Sequence, residues 1–62
     1  MKRIELLKHL HKEGCFLLRE GANHSVYINP NNSRQSVVGR HQELDNRVCK
    51  EICKQLEISK IR

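Results

Sequence analysis

The sequence predicts an α+β domain with elements in the order α-β-β-β-α: a three-stranded antiparallel sheet carrying two helices on one face. Three observations lead there. Apolar residues near the start recur at helical spacing and stop at a glycine. The middle of the chain holds short apolar or alternating runs separated by clusters of turn formers. A second apolar stripe, with members four apart, occupies the last third.

Ile4, Leu6, Leu7 and Leu10 lie three and four apart, with Lys2, Glu5, Lys8, Lys12 and Glu13 among them. That is the period of an amphipathic helix. Gly14 ends it, because glycine takes the left-handed conformation that closes a helix at no steric cost. Cys15-Phe16-Leu17-Leu18 is too short for a helix and reads as a first strand, buried for most of its length. Gly21, Ala22 and Asn23 form a turn, and a second strand starts at His24. Alternation puts His24, Val26 and Ile28 on one side, expected to face the helices, and Ser25 and Tyr27 on the other.

Asn29-Pro30-Asn31-Asn32-Ser33 is a dense run of turn formers and predicts a hairpin loop. Arg34 to Val38 is the third strand, ending in the β-branched Val37-Val38. After the polar Gly39-Arg40-His41-Gln42 connection, a second helix begins near Asp45, a plausible N-cap. Its stripe is Leu44, Val48, Ile52 and Leu56, with Cys49 and Cys53 alongside. The tail from Glu57 holds Ile58, Ile61 and the basic Lys60 and Arg62, with no signal that extends the helix. An alternating sheet has one face to bury, so both helices pack on that face. This is the layout of double-stranded RNA-binding domains.

With 62 residues the chain is one domain, 1–62. A domain of that size buries only about 60% of its unfolded surface, too little to enclose a deep pocket. An enzyme this small works on a polymer laid across its surface, or is completed by a partner. Twelve Lys and Arg against seven Asp and Glu leave a net charge of +5. Such an excess favours a polyanion, since phosphate neutralisation supplies most non-specific nucleic-acid affinity. The three cysteines are an odd number, and the charged start resembles no signal peptide. No apolar run approaches the roughly 18 residues that span a bilayer. The expectation is a cytoplasmic protein with reduced thiols and no membrane association.

Among the four histidines, His24 is the candidate for chemistry. A strand start holds the ring still, and the turn before it leaves room for a ligand. Neutral imidazole can take and return a proton near pH 7, which suits attack of an RNA 2′-hydroxyl on its own phosphate. The structural alternative is a histidine that only pairs with backbone. With His24 on the helix side, reaching substrate requires the open end of the sheet or a bulge. Arg19, Arg34 and Arg40 are candidate phosphate contacts, and Asn23 and Ser25 flank the histidine as candidate RNA contacts. His41 is a further phosphate contact or a partner acid.

His9 and His11, two apart on a helix, point to different faces and do not share a metal. Cys49 and Cys53 sit four apart on one helical face, but a zinc site needs about four ligands and no others are placed for it. Both read as buried small hydrophobes. No metal or cofactor is expected. Phe16 and Tyr27, the chain's aromatic residues, do not make a base-stacking platform.

REGANHSVYINP, followed by GRHQEL and then Val48, Ile52 and Leu56, resembles the HicA family of small bacterial toxins. The opening helix with KHL and KEG, then Phe16, extends the similarity over nearly the whole chain. The resemblance implies a double-stranded RNA-binding-domain-like fold and a metal-independent mRNA interferase, an endoribonuclease that inhibits translation. It implies mRNA and a HicB-type antitoxin as partners, in a toxin–antitoxin hetero-oligomer. The family's turn-motif histidine matches His24, which makes His24 the catalytic residue by that analogy. Ala22 stands where the family usually has glycine or a similar small residue, and Gly39 where it usually has proline. A non-catalytic RNA-binding module that shares only the fold is the alternative.

Overall fold

In the computed structural model, which describes residues 1–60, the elements follow the predicted order. Helix α1 spans Arg3–Lys12. Leu6 and Leu10, one turn apart, are fully buried, while Ile4 stays exposed. Gly14 has φ +89°, and past it the Cys15 amide donates back to the Leu10 carbonyl at 2.8 Å. That bond satisfies a helix-end carbonyl and turns the chain into the sheet.

Strands β1 (Phe16–Glu20), β2 (His24–Asn29) and β3 (Arg34–Gly39) pair antiparallel in the order β1-β2-β3. Helix α2 spans Asn46–Leu56, and its N-cap Asp45 accepts from the Arg47 amide at 2.7 Å. At its other end, the Asn29 and Asn32 side-chain amides both donate to the Leu56 carbonyl, at 2.8 and 3.1 Å. The β2–β3 loop thus supplies partners to a carbonyl the helix leaves unpaired. Ile61 and Arg62 lie outside the described residues.

The core joins Leu6 and Leu10 of α1, Tyr27 and Val38 of the sheet, and Ile52 and Leu56 of α2. Both helices therefore cover the same sheet face. The expected facing of β2 is reversed. Ser25, Tyr27 and Asn29 point toward the helices, and His24, Val26 and Ile28 point away. The inward polar groups are satisfied at a distance, Ser25 by Arg3 and Glu20 and Asn29 by Leu56, so their polarity does not keep them outside.

Two other expectations change. The Phe16-Leu17-Leu18 run is not buried: all three are 42–48% exposed. β1 is an edge strand, and only Cys15, just before it, enters the core. In α2 the buried residues are Cys49, Ile52, Cys53 and Leu56, while Val48 is exposed. The cysteines complete the apolar face where Val48 was expected.

Candidate active site at the open face of the sheet

His24 opens β2 and is exposed on the face away from the helices. Its carbonyl accepts from the Gly21 amide at 2.8 Å, closing the turn through Ala22 and Asn23. The imidazole leans over Gly21: a Cβ there would lie 3.1 Å from the His24 carbonyl oxygen and 3.4 Å from Nε2. Glycine at 21 keeps a side chain out of the tight approach to the His24 carbonyl. No bulge in β2 is needed to expose the ring.

The sheet's irregularity lies instead in β1, where the register shifts between Leu17 and Arg19. Phe16 pairs with Ile28, but past the shift Arg19 pairs with Val26 and Glu20 with Ser25. Strict alternation from Phe16 would send Arg19 to the helix side and Glu20 to the open side. The extra residue reverses both. Arg19 joins His24 on the open face, two strand positions or about 7 Å along, and Glu20 turns beneath the sheet.

Under the His24 turn runs a chain of polar contacts. Arg3 donates from Nε to the Gly39 carbonyl at 2.8 Å and from a terminal nitrogen to Ser25 Oγ at 3.0 Å. The Ser25 hydroxyl donates to Glu20, whose other carboxylate oxygen accepts from Arg40. Arg40 also donates to the Gly21 carbonyl. The Ser25 hydroxyl, helped by the nearby Arg40 and Arg3 cations, holds the Glu20 carboxyl below its ordinary range. The network ties α1, the ends of β1 and β3, and the turn together.

The expected site residues separate accordingly. His24, Asn23, Arg19, Arg40 and His41 are exposed and gather at the turn end of the sheet. Ser25 is fully buried, so it is a link in the network and not the RNA contact expected of it. Arg34 pairs with Asn29, five residues or about 17 Å from the His24 end, and its Nε meets Glu57 at 2.7 Å. It does not join the His24 group. Arg3 and Glu20, which sequence reasoning did not single out, are the residues that fix this end of the sheet. Their partners lie up to 36 positions away, so no local pattern marks them.

A cleft of about 510 Å³ opens between α1 and the β3–α2 connection, with Lys2, Arg3 and Arg40 in its wall. His24 does not line it. Among the described residues, no helix is long and apolar enough to cross a membrane.

No curated protein and no solved structure matches the chain. A family model does, described as the HicA toxin of bacterial toxin-antitoxin, and it matches residues 4–58. That stretch takes in all of α1 but its first residue, the whole sheet, the His24 turn and α2, so the chain belongs to the HicA toxin family, whose members are the toxin half of a pair completed by an antitoxin.

Proposed function

We propose that this toxin is a metal-independent endoribonuclease that cleaves mRNA and so inhibits translation, with His24 as general acid/base. The observation that carries the reading is His24 itself: an exposed imidazole, backed by a strand and seated over Gly21. A fixed ring with open approach is what proton transfer to or from a ribose hydroxyl requires. Negative charge gathers on the phosphate oxygens as the hydroxyl attacks. Arg19, on the same face, stands ready to offset it, and Arg40, paired with Glu20 beneath the turn, adds positive charge at that end of the sheet.

Asn23 and His41 complete the surface that meets the RNA strand. A HicB-type antitoxin restrains the enzyme by covering this surface in a hetero-oligomer. The proton route uses imidazole and the charge is met by guanidinium, so the scheme draws on no metal.

His24→Ala tests it. Purified variant protein should lose RNA cleavage and the cell should escape growth arrest, while circular dichroism and antitoxin binding stay as in the parent. Intact cleavage by His24→Ala would overturn the assignment. Salt-dependent RNA binding without cleavage by the parent protein would favour a binding module.

A further inference from the structure

Gly39 stands directly opposite His24 in the β2–β3 ladder. Residues directly opposed on antiparallel strands project to the same face, so the missing side chain of Gly39 points where the His24 imidazole points. A Cβ built on Gly39 would come 4.0 Å from Cδ2 of His41. His41 therefore folds its ring back over Gly39 on the open face. Between them, Arg40 alternates to the opposite side and reaches Glu20 and Gly21. Two exposed imidazoles thus stand at one end and on one face of the sheet, flanking a position that carries no side chain.

We propose that His41 is the second proton-transfer group of the reaction, acting as general acid while His24 acts as general base. This rests on the ribonuclease reading above and supplies the half it leaves open. His24 takes the proton of the 2′-hydroxyl as O2′ forms its bond to phosphorus. The P–O5′ bond breaks, and protonated His41 gives its proton to the departing O5′. The products are a 2′,3′-cyclic phosphate end and a 5′-hydroxyl end. One proton has moved from O2′ to O5′ through two rings, and exchange with water resets them.

The division of roles follows from how the rings are held. A base must meet a hydroxyl kept still beside phosphorus, and the backbone of His24 is held in the ladder's last pair. An acid must follow an oxygen that moves away, and His41 lies two residues past the last paired position. Gly39 adds no side chain of its own between them on that face.

The test compares two substrates with the full-length toxin. One is an RNA dinucleotide, whose leaving alkoxide needs a proton. The other is a ribonucleoside 3′-(p-nitrophenyl phosphate), whose leaving phenolate does not. On the dinucleotide, His41→Ala and His41→Gln should both lose about 10²- to 10⁴-fold in rate, the span typical of a general acid. On the p-nitrophenyl ester both should stay within a few-fold of the parent. His24→Ala should fail on both substrates. Equal loss by the His41 variants on the two substrates, or no loss on either, overturns the role of His41. Rescue of His24→Ala by the activated ester overturns it too, by reversing the roles. A parent protein that cleaves neither substrate nor mRNA brings down the ribonuclease reading itself, a separate result. Circular dichroism of each variant shows that the fold is kept, as expected for an exposed residue.

Discussion

Glu20 and Ser25 face each other across the first hairpin, and the Ser25 hydroxyl donates to the Glu20 carboxylate. This contact joins a surface group to the interior, because Ser25 is fully buried while Glu20 is half-exposed. Glu20 in turn holds Arg40, and Arg40 holds the carbonyl of Gly21 under His24. The placement of the imidazole therefore depends on a carboxylate that has to be ionised.

The first prediction concerns pH. The folded state lowers the Glu20 carboxyl from its usual 4.5, first through the Ser25 hydrogen bond and then through Arg40 and Arg3. A depressed carboxyl contributes stability above its unfolded value and loses it as pH falls through the folded one. The turn end of the sheet should thus stay intact through the ordinary carboxylate range and loosen only in stronger acid. Carbon-detected NMR titration should place the Glu20 midpoint below 4.5, and Ser25→Ala should move it up. A Glu20 midpoint at or above that value in the parent removes the basis for the network.

The second prediction is about stability. Ser25→Ala deletes the hydroxyl that both receives from Arg3 and donates to Glu20. A partly buried guanidinium nitrogen then loses an acceptor, which typically costs about 1–3 kcal/mol. Urea unfolding should show that loss. RNA cleavage should fall as well, since Glu20, which holds Arg40 at the His24 turn, loses its Ser25 anchor. An unchanged midpoint would mean that water replaces the hydroxyl fully.

The order of elements was legible because its signals are local. Leu6 and Leu10 sit a turn apart, Gly14 closes the helix, Asp45 caps the next, and the 29–33 run can only turn. The facing of β2 was not legible, because the rule that apolar residues go inward failed at Ser25 and Asn29. Each is buried by a partner at least five residues away, and Arg3 and Leu56 are 22 and 27 away. The shift at Leu18 likewise leaves no mark in a run of apolar residues, yet it decides that Arg19 and not Glu20 shares the face of His24. His24 itself was found by the turn before it. Its exposure came from a facing that alternation alone assigned to the wrong side.

The third prediction follows from the thiols. Burial first of all raises the Cys15 and Cys49 thiols above their usual 9.0. Thiolate is the reacting form, so both should resist iodoacetamide in the native protein near neutral pH and react once urea unfolds it. Because the folded state favours the protonated thiols, their contribution is complete below 9.0 and is lost as pH rises through the folded values. Stability should therefore decline on the alkaline side. Peptide mass spectrometry after timed alkylation reads the first effect, and rapid native labelling of either residue contradicts it.

The last prediction isolates the seat of the imidazole from the imidazole itself. Gly21→Ala keeps His24 but places a methyl 3.1 Å from its carbonyl oxygen and 3.4 Å from Nε2. The tight contact is with the carbonyl, which belongs to the bond that closes the turn, so relieving it shifts the backbone that carries the ring. Displacing a reacting group by about 1 Å can cost on the order of 10²-fold in rate. Gly21→Ala should then cleave RNA about 10²-fold more slowly, while its unfolding free energy changes by only about 1 kcal/mol. Cleavage at the parental rate would show that the ring does its work from some other position than the one over Gly21, and the geometry argued for His24 would have to be abandoned even if the residue itself proved essential.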